Sequence, residues 1–238
     1  MMNAAFAELG LDWRYVKLPV PPERFEETAR ALPRSGFRGA NVTIPHKLAA
    51  RALADELTPA AAAIGAANTL SFEEGRVLAD NTDAGGLLDA LEEDPRGRGA
   101  LVLGAGGAGR AAAWALREAG AHVAVWNRTP ERARTLAAEL GIDHADRSGR
   151  AADILVNATS LGLHGEDLPA EVELEPAAVV VDLVYGPEPT GLCRWAEAAG
   201  ARVVGGLEVL VRQGARSLEL WTGRPAPLDA MRAASSDV

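Results

Sequence analysis

Lysine is scarce in this chain: of 24 basic side chains, only Lys17 and Lys47 are lysines. Lys47 ends the stretch NVTIPHK, residues 41–47, where an amide (Asn41) and a hydroxyl (Thr43) alternate along a short apolar run before a proline. An ammonium releases and regains a proton once burial or a nearby cation lowers its pKa, whereas a guanidinium, with a pKa above about 12, does not. A lysine kept in a chain that otherwise uses arginine therefore points to proton transfer. Lys17 is the contrast. It lies in a predicted strand without polar neighbours and is expected to face water.

Gly104, Gly106 and Gly109 form G-x-G-x-x-G directly after the apolar run ALVL, at the start of a helical pattern. There the first glycine permits a tight turn, the second lets backbone approach a pyrophosphate, and the third lets helix and strand pack closely. The helix N-terminus adds unpaired N–H groups and the positive end of its dipole. Roughly 20 residues further on, a site for NAD places a carboxylate against the ribose 2′-hydroxyl. The stretch VWNRTPER instead offers Asn127, Arg128, Thr129 and Arg132, with no carboxylate before Glu131. Guanidinium groups bind a 2′-phosphate through forked, charge-assisted bonds, so the expected cofactor is NADP. Hydride reduction of a carbonyl leaves an alkoxide that needs a proton, and the reverse oxidation needs a base. Lys47 suits both tasks.

Other scarce polar residues sit at strand-like segments and their ends. The chain has six asparagines, one glutamine and two tyrosines. Asn41 and Asn68 lie at strand-like segments, Asn81 precedes Thr82-Asp83, Asn127 and Asn157 end apolar strands, and Tyr185 ends the last of these. Gln213 sits in a long helix near the end of the chain. Ligands of parallel sheets bind beyond the carboxyl ends of the strands, so these groups are expected to converge. Together with the Asp83 carboxylate they suit a small polyhydroxylated carboxylic acid.

Such residues need a scaffold. A chain of 238 residues with 48% hydrophobic content can bury one large core or two modest ones. A net charge of −9 argues against a nucleic-acid partner. No apolar run approaches the roughly 18 residues of a membrane span, and no basic-then-apolar leader is present, so no membrane partner and a cytoplasmic location are expected. The single cysteine, Cys193, excludes an intrachain disulfide and is read as a small buried filler. His46, His122, His144 and His164 lack i, i+4 spacing, so no metal is expected.

Strand-like and helix-like segments alternate along the chain. Residues 13–20 and 38–44 read as strands, 22–32 as a helix opened by proline, and 46–57 as a helix. Residues 67–83 read as a hairpin turning at Glu74-Gly75, and 83–93 as a helix ending in the linker-like DPRGRG. From residue 100 onward, apolar strands separated by helices imply a parallel sheet covered on both faces. A final helix, 207–223, closes the chain. The expected fold class is α/β, with two α/β domains joined near 94–99.

The stretches NVTIPHK, GAANTL, DNTDAGGL, GAGGAGRA, NRTPERA, NATSLG and GGLEVLVRQGARSLELWTG together resemble the shikimate dehydrogenase family, in that family's order and over nearly the whole chain. The resemblance implies reversible, NADPH-dependent reduction of 3-dehydroshikimate to shikimate in aromatic amino-acid biosynthesis. It implies a substrate domain at 1–93, with 207–238 packing back onto it, and a Rossmann-like NADP domain at 94–206. Lys47 matches the family's catalytic lysine and Asp83 the aspartate paired with it. Asn41, Thr43, Asn68, Tyr185 and Gln213 match positions that hold the substrate. Gly104, Ala105, Gly106, Gly107 and Ala108 match the phosphate loop, while Asn127, Arg128, Thr129 and Arg132 match the adenosine-phosphate clamp. Leu183 and Gly206 match positions lining the nicotinamide. Val209 stands where the family often has methionine. Family members open with a strand and a Ser-x-Ser turn that binds the substrate carboxylate, and here Met1 and Asn3 match the end of that stretch. The resulting expectation is an incomplete substrate domain that binds NADPH but handles shikimate poorly. Three alternatives stay open: a truncated chain with little turnover, a degenerate nucleotide-binding paralogue, and a quinate-type dehydrogenase. A homodimer is likewise left open.

Overall fold

The computed structural model describes residues 1–163, 173–186 and 188–235, so His164 lies outside the described residues. Packing divides the chain into two compact units, one made of Met1–Gly86 with the chain from Val211 onward, the other of Leu87–Leu210.

The first unit begins with α1 (Met2–Glu8) and α2 (Phe25–Ala31), the latter entered through a 3₁₀ turn at Pro22–Arg24. Then come β1 (Gly39–Asn41), α3 (Lys47–Leu53), β2 (Glu56–Leu57), α4 (Pro59–Ile64), β3 (Thr69–Glu73) and β4 (Arg76–Asp80). The sheet runs β1-β3-β4-β2, with β3 antiparallel to both neighbours and β2 parallel to β4. Glu74 and Gly75 both take positive φ, 50° and 79°, as a two-residue hairpin turn requires. Phe25, Leu53, Leu70, Phe72 and Val77 form the core beneath this sheet.

Three expected elements come out differently. Residues 13–20 alternate like a strand but form none, because no described strand pairs with them. The backbone of Tyr15 is held instead by the Asn3 side chain, which accepts from Tyr15 N at 2.7 Å and donates to Tyr15 O at 3.0 Å. Lys17 is exposed in this stretch. The predicted strand at 38–44 shortens to β1, since Thr43–His46 turns back on itself, His46 N donating to Thr43 O. The helical period at 46–57 stops at Leu53. Asp55 exchanges bonds with Val77, its N donating to Val77 O and its Oδ2 accepting from Val77 N, which draws 56–57 into the sheet.

After α5 (Thr82–Leu91), the second unit contains β5 (Gly99–Leu103), α6 (Gly107–Glu118), β6 (His122–Trp126), α7 (Pro130–Leu140), β7 (Asp143–His144), β8 (Ile154–Asn157), β9 (Val179–Asp182), α8 (Gly191–Ala198) and β10 (Arg202–Gly205). Its sheet is parallel throughout, ordered β10-β9-β8-β5-β6-β7. Counted within the unit, that is the 3-2-1-4-5-6 winding of dinucleotide-binding sheets, which reverses direction between β5 and β8. Every residue of β8 and β9 is buried, as a sheet covered on both faces demands. The chain then continues as α9 (Gly206–Thr222), which does not close it, because α10 (Leu228–Ala233) follows. Met231 of α10 and Leu218 of α9 pack with Met2 and Phe6 of α1 in a second core of the first unit.

Candidate active site

Lys47 is the first residue of α3, and Asp83 lies in the first turn of α5. A carboxylate there is favoured by the helix N-terminus. Lys47 Nζ donates to Asp83 Oδ2 at 2.6 Å, with the two side chains 13% and 19% exposed. The other carboxylate oxygen accepts from Asn68 Nδ2 at 2.8 Å, and Asn68 Nδ2 also reaches Gln213 Oε1 at 3.1 Å. Asn68 Oδ1 accepts from Thr82 N at 2.7 Å and from the Thr69 hydroxyl at 3.1 Å, so its amide group has one orientation. One of the three ammonium donors of Lys47 is taken by Asp83; among the described residues the other two meet no protein acceptor. Those two are open to a ligand oxygen.

A hydroxyl cluster supports these four residues, and the sequence reading missed it. Ser217 Oγ lies 2.9 Å from the Thr69 hydroxyl and 3.1 Å from that of Thr82, and accepts from Asn41 Nδ2 at 2.8 Å. Asn41 Oδ1 accepts from the Tyr15 hydroxyl at 3.0 Å. Both amide donors of Asn41 are thus taken, by Thr69 and Ser217. Ser217 falls one helical turn after Gln213, a spacing that could have flagged it. Thr43 is exposed in the turn before Lys47. His46 is held elsewhere, stacked on Phe25 with Nε2 2.9 Å from Val20 O. Asn81 donates to Ala66 O and accepts from Ala84 N, a local role only. Tyr185 is 43% exposed and belongs to the second unit, as do Leu183 and Gly206.

In the second unit the glycine motif sits at the β5–β8 reversal. A Cβ on Gly109 would lie 2.0 Å from Gly104 O, and one on Gly104 would lie 2.8 Å from Ala158 O, so both positions are fixed by packing. Gly106 is different. A Cβ there would meet nothing within 4 Å, and its φ of −83° suits any residue. Among the described residues nothing demands glycine at 106, and a glycine there is what close approach of a pyrophosphate would need. Gly107 and Ala108 open α6, and Ala105 N donates to Asn127 Oδ1 at 3.1 Å, tying the loop to the end of β6. Thr129 caps α7 without using its hydroxyl. Arg128 and Arg132 are exposed and, among the described residues, pair with no carboxylate, while nearby Arg134 pairs with Glu131. These features fit an NADP adenosine 2′-phosphate.

Replacing both Arg128 and Arg132 with alanine is expected to weaken NADPH binding and leave NADH nearly untouched. Each charge-assisted bond contributes about 1.5–3 kcal/mol, so selectivity should fall by about tenfold or more. Fluorescence titration with both nucleotides measures this, and equal losses would remove the assignment.

Three family models match parts of the chain. Residues 1–70 match the shikimate dehydrogenase substrate binding domain, 89–162 the shikimate / quinate 5-dehydrogenase family, and 206–234 the shikimate 5'-dehydrogenase C-terminal domain. The shikimate dehydrogenase (NADP(+)) of Methanothermobacter thermautotrophicus is 45% identical, over 97% of this chain and 88% of that protein. A crystal structure of shikimate 5-dehydrogenase from Thermus thermophilus in complex with NADP(H) and shikimate superimposes with a TM-score of 0.91 at 44% identity, covering 99% of this chain and 92% of that one. The ligand-free 5-ketofructose reductase of a Gluconobacter strain is similar in fold at 31% identity, with a TM-score of 0.87 over 99% of this chain and 91% of that one. In sequence and in fold alike, this chain belongs to the shikimate dehydrogenase family.

Proposed function

We infer that this chain is an NADP-dependent shikimate dehydrogenase, reversibly reducing 3-dehydroshikimate to shikimate in chorismate and aromatic amino-acid biosynthesis. The observation that carries the reading is the Lys47–Asp83 contact of 2.6 Å, with both side chains largely buried and Asn68 on the second carboxylate oxygen. A module that only bound nucleotide would need none of these groups. Kinship with a shikimate dehydrogenase (NADP(+)) and with an enzyme crystallised with NADP(H) and shikimate supports the same conclusion.

Residues 104–108 with Asn127, Arg128, Thr129 and Arg132 would hold NADP, which would supply or accept the hydride. The rest is the work of side chains. In the direction of reduction, Lys47 Nζ–H gives its proton to the oxygen that gains charge, and in oxidation the neutral amine takes it back. Asp83 keeps the ammonium aimed through their short bond. Asn68 and Gln213, joined to each other and through Asn68 to Asp83, are assigned to substrate hydroxyls, with Thr43 and Tyr185 as further contacts. Asn41 acts through Tyr15, Thr69 and Ser217. Leu183 and Gly206 are assigned to the nicotinamide end. Composition and charge support a cytoplasmic location.

The test is an assay of the purified chain with 3-dehydroshikimate and NADPH, followed by NADPH absorbance, and of the reverse reaction with shikimate and with quinate. Turnover with shikimate well above that with quinate is the expected result. The opposite preference would move the assignment to a quinate enzyme, and no turnover with either would overturn it.

A further inference from the structure

The end of β9 carries a carboxyl that the mechanism above does not use. Asp182 is 0% exposed, yet four donors converge on it. Its Oδ1 accepts from Asn157 Nδ2 at 2.9 Å and from Val184 N at 3.1 Å. Its Oδ2 accepts from the Thr190 hydroxyl and, at 3.7 Å, from Cys193 Sγ. These donors come from separate pieces of the sheet's carboxyl edge. Asn157 ends β8 and organises the loop after it: its Oδ1 accepts from Thr159 N and from the Thr159 hydroxyl, and its Nδ2 also donates to Leu161 O. Val184 belongs to the turn after β9, whose Leu183 N donates to Asn157 O. Thr190 is the N-cap of α8, its hydroxyl also accepting from Cys193 N. The pieces are in close contact, for a Cβ on Gly162 would lie 2.9 Å from Thr190 Cβ, and one on Gly206 would lie 2.6 Å from Val184 O.

We propose that Asp182 is a positioning residue for hydride transfer: its carboxyl locks the Asn157–Gly162 loop, the Leu183–Val184 turn and the cap of α8 in one register, and thereby sets the backbone against which the nicotinamide end of the cofactor lies. The proposal rests on the assignment of Leu183 and Gly206 to that end. A carboxyl buried this deeply is costly, and burial pushes the Asp182 pKa above the usual aspartate range even against its hydrogen bonds. An apolar side chain would fill the space at less cost, but only a group with two acceptor oxygens can join donors from all of these segments. Asparagine has the same shape with one acceptor, so it keeps the fold and loosens the lock. The adenosine half of the cofactor is assigned to residues 104–108, Arg128 and Arg132, none of which is hydrogen-bonded to Asp182 or to its four donors.

Asp182→Asn is therefore expected to lower kcat by about tenfold to a hundredfold, the scale of a misplacement of about 1 Å. Affinity for adenosine 2′,5′-bisphosphate, the cofactor's adenosine half, should stay within about twofold of the parent, the latter bound being a difference of under about 0.5 kcal/mol. Should Asp182→Asn fail to fold, Thr190→Val removes a single donor and is expected to show the same split to a smaller degree, with Thr190→Ser restoring it. A parental kcat overturns the proposal. So does a parallel loss of bisphosphate affinity, which would mean that Asp182 only stabilises the unit. If the parent chain itself does not turn over 3-dehydroshikimate, the functional reading fails separately, and the lock is read by hydrogen exchange at the amides of Thr159, Leu161 and Val184. Faster exchange in Asp182→Asn supports it, and unchanged exchange overturns it.

Discussion

Replacing Lys47 with alanine is expected to lower kcat by about 10²–10⁴-fold, equivalent to about 2.7–5.5 kcal/mol of transition-state stabilisation, with a much smaller change in KM. The ammonium has one bond to Asp83 and no other protein acceptor among the described residues. Its removal therefore takes away the proton donor without dismantling the cluster, since Asn68 still holds Asp83 Oδ1 and the hydroxyls of Thr69, Thr82 and Ser217 remain paired. A loss confined to kcat is the sign of an interaction made only in the transition state. Lys47→Arg should fail nearly as badly, because charge is kept while the exchangeable proton is not. Steady-state kinetics decide the matter, and an unchanged kcat in the alanine variant would reduce Lys47 to one half of a structural ion pair.

The second large effect separates two glycines three residues apart. Gly109→Ala should prevent the second unit from packing, since its Cβ would sit 2.0 Å from Gly104 O, a backbone atom that cannot swing aside. Gly106→Ala should fold at least as well as the parent, because its backbone angles suit alanine and the added methyl meets nothing among the described residues. It should nonetheless lose NADPH. Blocking the approach of a pyrophosphate to backbone N–H groups forfeits charge-assisted bonds of about 1.5–3 kcal/mol each, hence about tenfold to a hundredfold or more in affinity. Thermal melting and nucleotide titration of both variants measure the contrast. Gly106→Ala binding NADPH like the parent would show that the phosphates lie elsewhere.

What could be read from the sequence tracks how local the cause is. The Gly104–Gly109 loop was legible because its whole spacing pattern falls within six residues after an apolar strand, and the Glu74-Gly75 turn because positive φ selects few residue types. Lys47 and Asp83 stood out as rarity and as a carboxylate among amides. Residues 13–20 were misread because alternation describes a side-chain pattern, whereas a strand also needs a neighbour to take its N–H and C=O groups. Residues 54–57 were misread because the bonds from Asp55 to Val77 outweigh a helical period that continues on paper. Thr69, Thr82 and Ser217 escaped notice for another reason. Hydroxyls are common everywhere in sequence, and their meaning here comes from being buried beside Asn68. The Asp182 cluster is of the same kind, assembled from stretches that only the sheet brings together.

The first unit is discontinuous in sequence, and this bears on the order in which a ribosome releases its parts. Helix α1 buries Met2 and Phe6 against Val211, Leu218 and Met231, and Asn68 meets Gln213. All of the second unit emerges between those partners. Domains fold as units during synthesis, so the nucleotide-binding half can reach its final form while α1 still waits with an uncovered apolar face. Gln213 thus joins Asn68 last, after the glycine loop of the second unit can already have folded. A nascent chain stalled after Leu210 would carry the whole second unit, with Asn68 still lacking Gln213 and with Met2 and Phe6 uncovered.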